Sequence, residues 1–246
     1  MNVIPTEVAG GPGATSLIAT SLGWLERFAH DVPPGDDWLT ETEREVAARH
    51  RFAKRLAEWR LGRWTAKAAV SAALGGAVGP NRVEIRAADD GAPEAALDGH
   101  PADVAISISH REGVGACLVG PPDLMIGCDL ELSEPRPPVF ASDYFTPLEL
   151  GVVRSASAEA LDQLVTVIWS AKESALKATR TGLRVDTRSV EVRLEDSPPV
   201  GGWRAFRATT DEGLEFFGWW RRTGDLVATV ASSAPGDPPR DLGLTG

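Results

Sequence analysis

The clearest alternation of apolar and polar residues lies at Ile126–Leu132. Its even-numbered positions are apolar and are expected to face a core, while Gly127, Asp129 and Glu131 fall on the opposite face, because a strand repeats every two residues. Shorter alternations predict further strands at about 83–87, 104–109, 113–119, 189–194, 203–209, 214–220 and 226–231. These segments predict antiparallel sheet over a large share of the chain.

Apolar residues spaced three and four positions apart predict two long helices, at about 54–74 and 158–179. The first pattern stops at two consecutive glycines, residues 75–76. In the second pattern, Lys172 falls in the middle of the apolar stripe. A lysine is costly there unless its charge is paired or its ammonium group reaches water. Lys172 is therefore either the buried partner of a carboxylate or a functional residue.

Two Thr-x-x-Glu sequences, at residues 40–43 and 146–149, are capping boxes that predict the starts of further helices. The second box accounts fully for Glu149, which is therefore left out of the candidate site. Each box begins a similar order of elements, a pair of helices followed by antiparallel strands. The sequence thus contains a weak internal repeat.

A proline pair at residues 121–122 is the best candidate boundary between the two repeats. We therefore predict an N-terminal half at 1–122 and a C-terminal half at 123–233. The remaining residues, 234–246, are rich in proline and glycine and are expected to form a disordered tail.

The composition excludes several classes of protein. The chain has 246 residues, 43% of them hydrophobic, which is enough for a substantial core. Its net charge of −10 argues against a general nucleic-acid or anionic-membrane binder. The two cysteines, Cys117 and Cys128, lie in predicted strands and are expected to be reduced core residues of a cytoplasmic protein. We find neither a signal peptide nor a membrane-spanning segment in the sequence.

Two carboxylates on the predicted strand, Asp129 and Glu131, lie about 6.6 Å apart along it. Like charges this close repel each other unless a cation or protons relieve them, and oxygen ligands of this kind suit Mg²⁺. Gly127 beside them leaves room for a ligand or for another backbone. The alternative is an exposed strand face that carries two acids by chance.

The predicted long helix carries the sequence Trp-Ser-Ala-Lys-Glu-Ser-Ala-Leu-Lys at residues 169–177. Glu173 and Lys177 lie four residues apart at the edge of the apolar stripe, and a surface ion pair would explain both of them. Such a pair does not explain Lys172. Trp169 is most simply a core residue.

A third feature is a basic stretch at residues 44–67, which holds eight basic residues and two acids in a chain of negative net charge. Solvated helix faces account for most of these residues. The functional alternative is a phosphate-binding surface. The pair Ser109-His110 ends a predicted strand, and its two side chains are expected to point to opposite faces.

The strand and the helix together resemble the 4'-phosphopantetheinyl transferases of the surfactin-synthetase type. That family shows a G-[IV]-D-x-E strand and, about forty residues later, a W-[SCT]-x-K-E-[SA]-x-x-K helix. Here Gly127 opens the first motif, and Asp129 and Trp169 are forty positions apart. Cys128 replaces the usual Ile or Val, which is an apolar exchange.

The resemblance implies an α+β fold of two pseudo-symmetric halves, each a helical pair packed on a small antiparallel sheet, with the active site in the cleft between them. It also implies transfer of the phosphopantetheine arm from coenzyme A to a serine of an apo acyl or peptidyl carrier protein. Asp129 and Glu131 would hold Mg²⁺. Glu173 would be a third ligand or the general base, and Lys177, with Lys172 as an alternative, would stabilise the transferred phosphate.

For coenzyme A itself, the resemblance implies that basic residues of the 44–67 stretch and the Ser-His pair bind phosphates. The residues expected to do so are Arg51, Arg60, Arg63, Lys67, Ser109 and His110. Where family members often carry a basic residue between a glycine and a proline, this chain has Ala92. That contact is missing or is supplied elsewhere.

Two other functions are compatible with parts of the pattern. A Mg²⁺-dependent pyrophosphohydrolase also uses clustered carboxylates, but it is expected to carry several acids on its key helix, where this chain has one. A non-catalytic carrier-protein-binding module could share the fold, but all three carboxylates and Lys177 are present. The length resembles the monomeric subgroup of the transferases.

Overall fold

The computed structural model describes residues 21–243 and has the mixed α+β architecture that the sequence predicts. The outer ends of the predicted N-terminal half and tail, residues 1–20 and 244–246, lie outside the described residues. The helices are α1 (Glu41–Ala48), α2 (Ala53–Ala73), α3 (Val139–Tyr144), α4 (Pro147–Arg154) and α5 (Ala158–Ala178). In this part of the chain no helix is both long and apolar enough to cross a membrane.

The strands form three small sheets. They are β1 (Gly23–Phe28), β2 (Val83–Ala87), β3 (Pro93–Leu97), β4 (His100–Pro101), β5 (Ala105–Arg111), β6 (Val114–Gly120), β7 (Ile126–Leu132), β8 (Val190–Leu194), β9 (Arg204–Thr210), β10 (Glu215–Thr223), β11 (Leu226–Ser232) and β12 (Arg240–Asp241). The sheet orders are β12-β1-β6-β5, β2-β3-β4 and β7-β11-β10-β9-β8. Each half thus joins its helices to antiparallel strands, which confirms the predicted fold class.

The two larger sheets meet where β5 lies beside β7. Serine hydroxyls on β5 accept hydrogen bonds from backbone N–H groups of β7, Ser107 from Cys128 at 3.0 Å and Ser109 from Leu130 at 3.1 Å. Helix α5 also packs on β7. A Cβ atom added to Gly127 would lie 1.9 Å from the carbonyl oxygen of Ser174. The space beside Gly127 is therefore used by the helix backbone.

A buried ion pair fixes the core of the N-terminal half. Thr40 caps α1, and Glu43 Oε2 in return accepts a hydrogen bond from the Thr40 N–H at 2.9 Å. The other oxygen of Glu43 accepts from the N–H of Ile85 on β2 at 3.0 Å. The same carboxylate pairs with Lys67 of α2, whose side chain is 0% exposed and also donates to the carbonyl of Val83.

The C-terminal half repeats this arrangement. Thr146 caps α4, and Glu149 in return accepts a hydrogen bond from the Thr146 N–H at 2.8 Å. The other oxygen of Glu149 accepts from the N–H of Val192 on β8 at 2.7 Å. Its carboxylate pairs with Lys172 of α5 at 2.8 Å, and Lys172 also donates to the carbonyl of Val190. Cap, acid, lysine and strand thus occur in the same order in both halves.

The repeat is closer than the element order alone indicates. Residues 64–67 read Trp-Thr-Ala-Lys, and residues 169–172 read Trp-Ser-Ala-Lys. Both lysines are the buried partners of capping-box glutamates. The two halves therefore contain the same arrangement of a capping-box glutamate and a buried lysine, which we call the framework of each half.

The prediction of a disordered tail at 234–246 is wrong for the residues around β12, which pairs in parallel with β1. The N–H of Leu242 donates to the carbonyl of Trp24 at 2.8 Å, and the Leu242 side chain packs on the core that contains Leu25. Gly23 makes room, because a Cβ there would lie 2.7 Å from Leu242. A two-residue strand is too short to show an alternating pattern, so pairing along the edge of β1 decides the structure of this segment.

Candidate functional site

Helix α5 presents three side chains of the candidate site to β7 along one face. Trp169, Glu173 and Lys177 are spaced by four residues, so they lie above one another on the helix over a rise of about 12 Å. Trp169 contacts Glu131 at 3.1 Å, and Lys177 contacts Asp129 at 2.8 Å. The strand motif and the helix motif are therefore brought together, as the sequence predicts.

Asp129 is held by donors on three sides. Its Oδ1 accepts from the Lys177 ammonium at 2.8 Å and from the Ser109 hydroxyl at 3.0 Å, and its Oδ2 accepts from the Ser170 hydroxyl at 2.9 Å. Burial opposes the charged form of Lys177, but Asp129, together with Cys128 and Glu173, outweighs burial and raises the pKa of Lys177. Lys177 therefore stays charged beside the carboxylate.

Glu131 is oriented by two side chains that the sequence did not single out for this role. Its Oε1 accepts from the indole N–H of Trp169 at 3.1 Å, and its Oε2 accepts from Arg136 at 3.1 Å. The guanidinium of Arg136 lies 4.9 Å from the ring centre of Phe140, and that ring packs edge-on against Trp169. Trp169 is thus both a packing residue and a hydrogen-bond donor to the site.

Glu173 is the unusual carboxylate of the site. Its Oε1 is buried and has no hydrogen-bond partner among the described residues. Burial raises the pKa of Glu173 to about 7, and the charges of Asp129 and Glu131 add to this effect while Lys177 opposes it. A carboxyl group with this pKa can accept a proton near neutral pH, and its free oxygen can also serve as a ligand for a cation.

The pKa of Glu173 leads to a prediction about stability. Its folded value lies above the ordinary value of about 4.3, so the folded protein binds this proton more tightly than the unfolded chain does. Relative to Glu173→Gln, the wild type should therefore lose about 3 kcal/mol of unfolding free energy as the pH rises from about 4.5 to about 7. Urea unfolding at the two ends of this range, without divalent cations, measures the difference. Equal differences at both pH values would contradict this assignment.

Lys67 and Lys172 lie outside the site. Each is fully buried and paired with an acid, Lys67 with Glu43 and Lys172 with Glu149. This placement contradicts the predictions that Lys67 binds a coenzyme A phosphate and that Lys172 stabilises the transferred phosphate, because a buried ammonium group surrounded by protein acceptors cannot reach a ligand. For Lys172, the structure therefore selects the alternative of a buried carboxylate partner.

A basic cavity of about 390 Å³ lies in the N-terminal half, between α2 and the sheets. Of the six residues predicted to bind phosphates, only Arg63 and His110 line it. The guanidinium of Arg63 lies 5.0 Å from the ring centre of Trp59, and its buried Nε has no partner among the described residues. Burial also lowers the pKa of Arg63. An anion in this cavity would satisfy the buried guanidinium.

The other predicted phosphate ligands point elsewhere. Arg60 is tied to the loop at 33–36, where it contacts the carboxylate of Asp36 and donates to the carbonyl of Gly35 at 2.7 Å. Arg51 is exposed and does not line the cavity. Ser109 is buried and donates to Asp129. The structure therefore separates Ser109 from His110, as expected for adjacent strand residues.

Three residues that line the basic cavity were not among the six predicted phosphate ligands. His50 and Arg55 lie within the basic stretch, and Arg86 is at the end of β2. Their positions become clear only when β2 is placed beside α2. The sequence signal for Arg86 is its position: a basic residue near the end of β2, the first strand after the basic stretch.

A larger cavity of about 820 Å³ lies between the halves. Its walls come from β3 and β5 on one side and from the end of α5 on the other, and Lys177 lines it. Most of the wall residues are apolar. Gly91, Pro93 and Ile108 line both this cavity and the basic one. The two cavities thus adjoin at the loop that precedes β3.

The donor chemistry of the three carboxylates fits Mg²⁺, since all are hard oxygen ligands and Glu173 Oε1 is buried without a partner among the described residues. The carboxylates are turned to other partners, Asp129 to Lys177 and Glu131 to Arg136. Accordingly, residues 21–243 contain no group of three or more His, Cys, Asp or Glu already arranged to hold a metal ion. Burial, with repulsion from Asp129 and Glu131, raises the pKa of Glu173, and a cation at its unpartnered oxygen would relieve that repulsion.

Comparisons with known proteins point to one family. Residues 125–230 match the model of the 4'-phosphopantetheinyl transferase superfamily. No curated protein matches the chain. Among solved structures, a holo-(acyl-carrier-protein) synthase from Bacillus anthracis strain Ames, in complex with CoA (3',5'-ADP), is 29% identical over 40% of this chain and 92% of the synthase, with a TM-score of 0.35. The segment that contains Asp129, Glu131, Glu173 and Lys177 is therefore similar to the 4'-phosphopantetheinyl transferases.

Proposed function

We propose that the protein transfers the 4'-phosphopantetheine arm of coenzyme A to a serine of an apo acyl or peptidyl carrier protein. The observation that carries this proposal is that Asp129, Glu131 and Lys177 all act electrostatically on Glu173, while Lys177 contacts Asp129 and lines the cavity between the halves. The family match covers the same segment and supports it. We further propose that the protein acts as a monomer, because its two halves supply both sides of the cleft.

Asp129, Glu131 and Glu173 would hold Mg²⁺. The ion would neutralise charge on the pyrophosphate as the leaving group departs. Lys177 donates to Asp129 and lines the cavity, so its ammonium group can reach a phosphate oxygen there. Trp169 fixes the orientation of Glu131.

The transfer is a displacement at phosphorus. The serine hydroxyl oxygen forms a bond to the phosphorus that carries the pantetheine arm, and the bond from that phosphorus to the bridging oxygen breaks. The leaving group is 3',5'-adenosine bisphosphate. Glu173, with its pKa of about 7, is suited to take the serine proton in its ionised form. Its alternative role is that of a ligand alone, and the Mg²⁺ dependence of the pH–rate profile separates the two. The acid limb of a ligand should move to lower pH as Mg²⁺ is raised, because the cation competes with the proton, whereas the limb of a base should stay near pH 7.

The basic cavity would hold the 3'-phosphate of coenzyme A. Arg63→Ala should then raise the KM for coenzyme A about tenfold, as expected for loss of a charge-assisted hydrogen bond. The KM for dephospho-coenzyme A, which lacks the 3'-phosphate, should change much less. Arg51→Ala is the matched control, because Arg51 belongs to the same basic stretch but lies outside the cavity. Equal effects of Arg63→Ala on both donors would remove the 3'-phosphate from this cavity.

The cheapest test of the proposed function is incubation of the protein with coenzyme A, Mg²⁺ and an apo carrier protein. Mass spectrometry of the carrier should show a gain equal to the phosphopantetheine arm, located on a serine. Hydrolysis of coenzyme A without labelling of the carrier would favour a pyrophosphohydrolase. Binding of the carrier with neither reaction would favour a non-catalytic module.

A further inference from the structure

A cluster of ion pairs joins the two halves across the larger cavity. Arg180, just beyond α5, donates from Nε and Nη2 to the two carboxylate oxygens of Asp90 at 2.7 and 3.0 Å. Its Nη2 also donates to Glu94 at 2.9 Å. Arg184 donates to the backbone carbonyl of Asp90 at 2.9 Å and to that of Arg180. Asp90 and Glu94 belong to the loop and the strand that form the opposite wall of the cavity.

Asp90 also accepts a hydrogen bond within its own loop. Its Oδ1 accepts a hydrogen bond from the N–H of Ala92 at 3.0 Å, which closes the turn before β3. The hydrogen bonds from Arg180, together with that from Ala92, lower the pKa of Asp90 to about 2. The carboxylate is therefore ionised at every pH at which the protein would be used, and it links the turn to the end of α5.

The backbone at Arg180 has a left-handed conformation at the end of α5. The N–H of Arg180 donates to the carbonyl of Lys177, and the N–H of Thr181 donates to that of Leu176, which is the Schellman arrangement at a helix end. Arg180 occupies its left-handed position, with φ of 59°, where glycine is preferred because it has no Cβ. The chain thus holds an arginine at a position that disfavours any side chain.

The loop that contains Asp90, the partner of Arg180, forms part of the wall between the two cavities. Gly91 and Pro93, close after Asp90, line both of them, while Lys177, three residues before Arg180, lines only the larger one. An extended donor with its nucleotide in the basic cavity and its reactive phosphate near Lys177 must pass this loop. The position of the loop relative to α5 therefore determines whether both ends of the donor fit at once.

We propose that the pair Arg180–Asp90 is a clasp that positions the shared loop for the donor substrate, so that it sets the affinity for coenzyme A without taking part in the chemical step. This inference rests on the proposed function. Arg180 is a positioning residue, and its loss should weaken donor binding while turnover at saturating donor stays unchanged.

The sharpest test is Arg180→Gly, because glycine suits the backbone at this position and the helix end should remain folded. The dissociation constant for coenzyme A, measured by calorimetry, should rise about fivefold, the upper end of the range for an exposed ion pair. The KM for coenzyme A should rise by the same factor, with kcat unchanged. Arg180→Lys keeps the charge but not the two-point geometry, and it should restore part of the affinity.

A double-variant cycle identifies the partner. Asp90→Asn keeps an oxygen for the N–H of Ala92 but removes the charge, so it should weaken binding about as much as Arg180→Gly does. The double variant should bind no more weakly than Arg180→Gly, because that change already removes the interaction with Asp90, along with the bond to Glu94. Arg82→Ala is the matched control: Arg82 pairs with Asp98 through the same two nitrogen atoms, but within the N-terminal half. It should bind coenzyme A as the wild type does.

The outcomes separate this inference from the function on which it rests. If the wild type binds coenzyme A and Arg180→Gly binds it equally well, the clasp has no role in donor binding and the inference is wrong. Losses that multiply in the double variant would also overturn it, since the two residues would then act independently. If the wild type itself does not bind coenzyme A, the proposed function fails first, and the inference fails with it.

Discussion

Asp129→Ala is expected to reduce the rate of phosphopantetheine transfer by about 10³-fold, the effect of several kcal/mol on the barrier. Asp129 is a proposed Mg²⁺ ligand, and it also holds the ammonium group of Lys177. Its removal therefore takes away a cation ligand and releases a phosphate-binding charge at the same time. Transfer rates at saturating carrier and increasing Mg²⁺ measure the loss, which added Mg²⁺ should not restore.

Two further variants separate chemistry from folding in this experiment. Asp129→Asn keeps the shape of the side chain and one acceptor oxygen, but its amide NH2 group can only donate, and Lys177 loses its counter-charge. Its activity should fall as in Asp129→Ala, and urea unfolding of both variants shows whether the loss is measured on folded protein. Glu134→Gln changes a half-exposed carboxylate near Glu131 that is not a proposed ligand, and it should keep its activity. Full activity in a folded Asp129→Ala variant would remove Asp129 from the site.

The second large effect is expected on stability. Lys172→Met should lower the free energy of unfolding by about 3–5 kcal/mol, because it leaves the Glu149 carboxylate buried without its counter-charge. Urea denaturation measures the change through the transition midpoint and slope. Lys67→Met, which breaks the equivalent pair in the other half, should have a similar effect. The double variant Lys172→Met/Glu149→Gln should lose less than the sum of its single variants.

This experiment also distinguishes the two roles that the sequence allowed for Lys172. A structural residue loses stability when it is replaced, and a variant rescued by low temperature should then have nearly normal turnover. A phosphate-binding residue would lose turnover with its stability unchanged. The second result would falsify the assignment of Lys172 to the framework.

The long patterns in the sequence were sufficient for much of the fold. Helices α2 and α5 and strand β7 were predicted within one or two residues, because each buries a regular stripe or face over several turns or positions. Four short elements were missed. Strands β4 and β12 have two residues each, too few for a period to appear, and β3, which reads Pro-Glu-Ala-Ala-Leu, does not alternate. Helix α3 has only six residues. Pairing or packing with neighbours determines these elements.

The candidate site could be predicted where its residues belong to a single sequence motif, as in β7 and α5. Asp129 and Lys177 meet because a strand and a helix with specific sequences pack together through Gly127. The basic cavity was predicted less well. Its lining comes from α2, β2 and β5, and the stretch at 44–67 does not show which side of a helix faces the cavity. Arg60 and Arg63 differ by only three positions, yet one braces a loop and the other lines the cavity.

The two frameworks with the same Trp-x-Ala-Lys sequence differ in the residues on the C-terminal side of the lysine. Alignment of Lys67 with Lys172 places Ala68 opposite Glu173 and Ala72 opposite Lys177. One copy of the repeat therefore carries the proposed reactive groups, and the other carries the basic cavity in a scaffold without them. Under the proposed function, substitutions in the first half should change which donor is accepted, and substitutions in the second half should change how fast it reacts, so that the two properties can evolve separately.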